Sequence, residues 1–268
     1  MYYLGIDIGA VSAKAVIVND SSVISMAVMD TGSHIERVAD AILQSVLSEA
    51  GITFNDIKGT VATGYGRSAV PFADKKMTEI TCHAKGVNHV IPDVRTIIDV
   101  GGQDSKAIRV DEQGTVYDFV MNDKCAAGTG RFLEVMAKAL ELKSDDLGAI
   151  ALTSLEPAAI SSVCTVFAES EVISLRGEGK KREDIVAGIH HAIASRINAM
   201  IAQIGCEEPI VLTGGVAKNQ GLLRALENEL KRTISVPDHP QLTGALGAAL
   251  IASTDCNILG SGLHISQK

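Results

Sequence analysis

Apolar and polar positions follow two rhythms along this chain. Tyr2–Ile8 is a short apolar run, and Ser12–Asn19 and Val23–Met29 follow it after tight turns. Three such runs predict a β-meander. Ile35, Val38, Ala39, Ile42, Leu43, Val46 and Leu47 then fall at helical spacing. They predict an amphipathic helix over Ile35–Ala50, stopped by Gly51. Lys58–Thr63 reads as a strand that runs into Gly64-Tyr65-Gly66. The scheme then restarts. Thr96–Val100 is apolar, and Lys106–Val110 and Val116–Phe119 read as strands. Helices are expected over Gly130–Leu142 and Arg182–Ile204, with a strand at Pro209–Leu212. Asp7-Ile8-Gly9 and Asp99-Val100-Gly101 end the first strand of each round. This predicts an internal duplication and two α/β lobes. The charged run Glu178–Asp184 reads as a solvated turn.

Composition narrows the partners. Among 268 residues, Lys plus Arg number 24 and Asp plus Glu 32, a net charge of -8, so no polyanion or anionic membrane surface is expected to bind. Aromatics are 3% with no Trp, which argues against a base-stacking platform. Five cysteines without a CxxC pair do not form a secreted disulfide framework. Met1–Gly5 enters a strand pattern without a basic leader, and the apolar stretch Leu242–Ala252 is too short to span a bilayer. A cytoplasmic location with reduced thiols is therefore expected.

Three segments share one design, a strand followed by a Gly-rich turn whose backbone N–H groups suit phosphate oxygens. The first is Asp7–Lys14, where Gly9 and Ala13 offer backbone and Ser12 and Lys14 add a hydroxyl and a cation. The second is Asp99–Asp104, through Gly101, Gly102 and Gln103. The third is Leu212–Asn219, where Gly214 and Gly215 admit a nucleoside against the main chain beside Val216 and Asn219; Gln241 is a further candidate there. Asp7, Asp99 and Asp104 present hard oxygens for Mg²⁺, partly through water. Asp7, Gln103 and Asp104 are the catalytic candidates, with Gln103 orienting the attacking water by analogy with other phosphoryl transferases. The chain has neither GxxxxGK[ST] nor GxGxxG, which excludes a P-loop NTPase and a Rossmann dinucleotide site.

Cys125 lies in Asn122–Phe132 and Cys164 in Ser161–Glu171. Each sits just before an expected helix, where the positive helix end would lower a thiolate pKa. Read from the residues alone, they are either buried inert thiols or ligands. Two thiolates are half of what a [4Fe–4S] cluster requires, and an isologous dimer would double them. Cys82, Cys206 and Cys256 read as bystanders, and His83 and His190-His191 as packing or solvent-facing residues.

The three loops together resemble the actin, Hsp70 and sugar-kinase superfamily of ATPases. The resemblance implies an α/β fold of two duplicated lobes clamping ATP. Lobe I would span residues 1–92, with 240–268 returning to it, and lobe II residues 93–239. Further segments are similar to the activator family of 2-hydroxyacyl-CoA dehydratases, benzoyl-CoA reductase ATPase subunits and double-cubane cluster protein reductases. They are VATGYGR (61–67), DVGGQDSK (99–106), MNDKCAAGTGRFLEVMA (121–137), CTVFAESEVIS (164–174), TGGVAKN (213–219) and PQLTGALGAAL (240–250). What this resemblance implies is an ATPase coupled to electron transfer. It would be a homodimer with one [4Fe–4S] cluster per dimer, held by Cys125 and Cys164 of each chain. Its cofactors would be ATP/ADP and Mg²⁺. Ferredoxin or flavodoxin would supply the electron, and a dehydratase or double-cubane cluster protein would accept it in an anaerobic cytoplasm. In the first loop, Ala10 and Val11 replace the hydroxyl residues usual in that family. The alternative is a small-molecule kinase of the same fold without a cluster.

Overall fold

The structure is a computed structural model and describes residues 1–161 and 164–260. The chain forms two compact units, one from Met1–Val90 with the segment from Leu242 onward, the other from Ile91–Gln241.

In the first unit, β1 (Tyr2–Ile8), β2 (Ser12–Asn19) and β3 (Ser22–Asp30) form the expected meander, and α1 (Ile35–Ala50) follows. Then come β4 (Ile57–Thr63), β5 (Lys75–Lys76) and α2 (Glu79–Val90). The sheet order is β3-β2-β1-β4-β5, with β4 parallel to β1 and β5 parallel to β4. Central β1 is buried on both faces, as its mostly apolar run requires. The α1 stripe Val38, Ala39, Ile42, Leu43, Val46 and Leu47 packs with Leu4, Ile6 and Ile8. Gly51 ends α1 in the left-handed region at φ +66°, its N–H bonded to the carbonyls of Leu47 and Ser48.

The second unit opens with β6 (Thr96–Val100), β7 (Ser105–Val110) and β8 (Val116–Asn122). Next are α3 (Gly130–Ala139), α4 (Leu147–Ala151), α5 (Thr165–Gly177) and α6 (Arg182–Ile204). It closes with β9 (Ile210–Thr213), α7 (Gln220–Leu230) and β10 (Ile234–Ser235). Its sheet order is β10-β9-β6-β7-β8, again with an antiparallel meander and parallel neighbours for the first strand. Set strand for strand, the two sheets have one topology, so the duplication is real at the level of connectivity. The last helix, α8 (Thr243–Gly260), packs on β1, β2 and α2 of the first unit.

Several boundaries differ from expectation. Helix α3 ends near Ala139 because Glu141 turns left-handed at φ +58° and Leu142 N–H bonds back to Ala137 O. Strand β8 runs on to Asn122. The run Glu178–Asp184 is only partly a solvated turn. Asp184 is buried in the first turn of α6, where its carboxylate accepts from Ser154 Oγ (2.7 Å) and Glu156 N (3.2 Å). Those bonds, the Ser154 one foremost, hold its carboxyl below the usual range. By length and apolarity α6 could cross a membrane, but it is mostly buried and serves as the core helix of its unit.

Candidate functional site

The first phosphate loop leaves β1 after Ile8. Gly9 N–H bonds to Ser12 O at 3.0 Å, which closes the turn. Thr31, just beyond β3, fixes the turn from outside: its Oγ1 donates to Gly9 O at 2.7 Å and its N–H to Val11 O at 2.9 Å. Register pairs Asp7 with Lys14 across the hairpin, and Lys14 Nζ lies 3.3 Å from Asp7 Oδ2. The segment around Gly64 also closes on Asp7. Gly66 N–H bonds to Ile8 O, and a Cβ on Gly64 would come 2.5 Å from Asp7 Oδ1. Gly64 adopts φ +88°, so both conformation and space require glycine there.

The second loop contains a feature the sequence reading missed. Lys106 is 2% exposed, and its Nζ lies 3.1 Å from Asp99 Oδ2 and 2.6 Å from Asp104 Oδ2. Register alone pairs Asp99 with Lys106, which was the available signal. A lysine in a short strand reads as a surface residue, and this one is an internal counter-ion. Gly101 N–H bonds to Asp104 O, and Gln103 is exposed at the tip.

The third loop lies against the second. Gly214 takes φ +92°, its N–H bonds to Pro240 O, and a Cβ there would come 2.4 Å from Val100 O. Thr213 Oγ1 also donates to Pro240 O, which places Gln241 beside this loop. A Cβ on Gly215 would meet nothing within 4 Å, so its backbone is open to a ligand. Val216 lies next to Gly130. The Asn219 side chain instead caps α7, accepting from Leu222 N at 3.0 Å. Its Oδ1 also lies 3.1 Å from Nε2 of buried His190. His190, expected to pack or to face solvent, thus braces this loop, and burial pushes its imidazole pKa down.

Cys125 sits in a loop stitched by short bonds. Asn122 Nδ2 donates to Cys125 O and Ala127 O, at 2.9 and 3.0 Å, and Thr129 Oγ1 to Ala126 O at 2.7 Å. Gly130 N–H bonds to Gly101 O and Arg131 N–H to Gly102 O, at 2.9 and 2.8 Å. The first N–H groups of α3 are therefore spent on the second phosphate loop, not on the thiol. Cys164 is the N-cap residue of α5 and, like Cys125, a half-buried free thiol. Helix α5 leaves Val166, Phe167 and Ile173 exposed. Among the described residues no three His, Cys, Asp or Glu side chains cluster as a metal site.

Cys82 is fully buried, and burial pushes its thiol up to about 12. Since the thiolate is the nucleophile, Cys82 is expected to resist iodoacetamide at pH 8 in the native protein and to react once urea unfolds it. Mass mapping checks this; native labelling of Cys82 would contradict its burial. Desolvation also raises the Cys206 thiol. The Cys256 side chain lies outside the described residues.

Residues 4–252 match the BadF/BadG/BcrA/BcrD ATPase family. The chain is 49% identical over 253 residues to the 2-hydroxyisocaproyl-CoA dehydratase activator of Clostridioides difficile, covering 94% of this chain and 95% of that one. It is 46% identical to the (R)-2-hydroxyglutaryl-CoA dehydratase activating ATPase of Acidaminococcus fermentans, covering 94% and 97%. A solved activator of the 2-hydroxyisocaproyl-CoA dehydratase from Clostridium difficile, with bound ADPNP, superposes with TM-score 0.91 at 46% identity and covers all of both chains. A ROK family glucokinase from Streptomyces griseus shares the fold alone, at TM-score 0.58 and 13% identity.

Proposed function

The chain belongs to the BadF/BadG/BcrA/BcrD ATPase family, and on that premise we propose that it is an ATP-driven electron donor. It would activate an iron–sulfur partner of the 2-hydroxyacyl-CoA dehydratase, CoA-reductase or double-cubane type. The observation that carries this reading is the pair of bonds from Gly130 and Arg131 N–H to Gly101 and Gly102 O. They join the phosphate loop and the Cys125 loop through one helix end, so a shift in one is felt in the other.

Phosphates are held by the backbone of Gly9–Ala13 with Ser12 and Lys14, and by Gly101 and Gly102. The nucleoside rests on Gly214, Gly215 and Val216, near Gln241. Asn219 shapes this loop through its helix cap. Mg²⁺ fits Asp7, Asp99 and Asp104 only through water in the second loop, because Lys106 already occupies Asp99 Oδ2 and Asp104 Oδ2. Gln103, exposed at the loop tip, would orient the attacking water beside Asp104, and Asp7 is the catalytic candidate of the first loop.

The thiol pair fits a [4Fe–4S] cluster as a half-set, since both are accessible and a second copy supplies the other two. Bound there, it supplies a one-electron carrier of low potential. Exposed Val166, Phe167 and Ile173 beside Cys164 form an apolar surface of the kind a second copy covers. Ferredoxin or flavodoxin delivers the electron, and the setting is an anaerobic cytoplasm. The kinase alternative shares only the fold with this chain.

The test is anaerobic purification with iron and sulfide analysis. Roughly four irons and four sulfides per two chains are expected. Cys125→Ser and Cys164→Ser should each lose the brown chromophore, while Cys206→Ser keeps it. Iron-free wild-type protein that still drives ATP-dependent reduction of a dehydratase would overturn the reading.

A further inference from the structure

The cluster of side chains around Asp7 contains an imidazole that the phosphate-binding scheme does not use. His83, on α2, is 5% exposed, and its Nδ1 lies 3.0 Å from Oγ1 of buried Thr243, the first residue of α8. That contact fixes the ring. Its other edge faces Gly244: a Cβ on Gly244 would lie 3.3 Å from His83 Nε2 and 3.2 Å from Asp7 Oδ2. Imidazole and carboxylate therefore converge on one glycine, where a single bridging water can join them. Asp7 also reaches α2 electrostatically, since its charge is among the causes that raise the thiol of Cys82 next door. A Cβ at 244 would press both groups more tightly than an ordinary contact.

We propose that His83 is a positioning residue for the ATPase reaction: held by Thr243, it fixes the Asp7 carboxylate across Gly244. When the Thr243 hydroxyl donates to Nδ1, the ring proton sits on Nε2 and points toward Asp7. A donor there orders Oδ2 through the bridging water. Lys14 lies 3.3 Å from the same oxygen. Two donors then define where the carboxylate stands, which one flexible lysine would not achieve alone. A partner that orients a ligand group in this way typically matters 10–100-fold when removed. This role rests on the ATPase reading, and it differs from that of Gln103, which concerns the water itself.

Two substitutions separate this role from simple packing. His83→Asn keeps an amide near the Nδ1 position for Thr243 but cannot reach Asp7. His83→Gln places its amide near the Nε2 position. Steady-state ATPase assays should show kcat down about 10–100-fold for His83→Asn, with KM for ATP within about threefold because the phosphate loops are untouched. His83→Gln should recover most of the loss. Thermal shift with ADP verifies that both variants fold and bind nucleotide. A normal kcat in His83→Asn overturns the proposal, as does a KM effect without a kcat effect, or equal losses in both variants. The wild type measured alongside keeps the outcomes apart: without wild-type ATPase the functional reading fails, whereas an active wild type matched by His83→Asn sinks only this inference.

Discussion

Lys106→Met is expected to destabilise the second unit by about 3–5 kcal/mol, the range for removing one partner of a buried ion group. Lys106 is buried, with two carboxylate oxygens at 3.1 and 2.6 Å. Asp99 and Asp104 are themselves 2% and 5% exposed. Methionine matches the aliphatic stem but carries no charge, so two carboxylates would face each other without a cation. Water cannot readily replace it, because Asp99 and Lys106 are paired strand residues within the sheet. Urea unfolding followed by far-ultraviolet circular dichroism would measure the loss, since the chain has no Trp to report by fluorescence. Adding Asp104→Asn to Lys106→Met should restore part of the stability, because one of the stranded charges is gone. A single variant that loses less than about 1 kcal/mol, the scale of an exposed pair, would show that Lys106 is not the counter-ion described.

Elements with a long repeating pattern were legible in the sequence. Helix α1 shows six core residues at helical spacing with glycine behind them, and its observed bounds are those the pattern predicts. The three strand–glycine turns were legible for a related reason: their backbone conformation admits few residues. Contacts between distant segments were not. Nothing near His83 announces that Thr243 and Gly244 will close on it from 160 positions away. Lys106 was hidden by composition, because a cation in a strand ordinarily points to water. The hydrogen bonding behind the Cys125 loop was hidden on a third ground. The first N–H groups of α3 take the carbonyls of Gly101 and Gly102, a pairing that only the folded chain makes. Periodicity thus reveals which face is buried, but not which polar partner a distant segment brings to it.

Gly247→Ala is expected to cost about 3 kcal/mol or more, at or above the top of the range for overpacking. A Cβ on Gly247 would sit 1.8 Å from the carbonyl oxygen of Cys82, and one on Gly86 would sit 1.9 Å from that of Thr243. Gly5 closes the other side of α8, where a Cβ would be 2.0 Å from Ala245 O. Helix α8 is therefore pressed backbone to backbone between β1 and α2. The obstacles are main-chain atoms, so no rotamer change relieves the clash, and one helix must move. Such a shift also separates His83 on α2 from Thr243 and Gly244 on α8. ATPase activity should then fall even at temperatures where the variant remains folded, and Gly86→Ala should act the same way from the opposite face. Gly177→Ala is the control: nothing lies within 4 Å of its Cβ, at the exposed end of α5. That change should be neutral or stabilise by up to about 1 kcal/mol through the unfolded state. Gly247→Ala with wild-type melting temperature and kcat would mean that α2 and α8 do not meet on bare backbone.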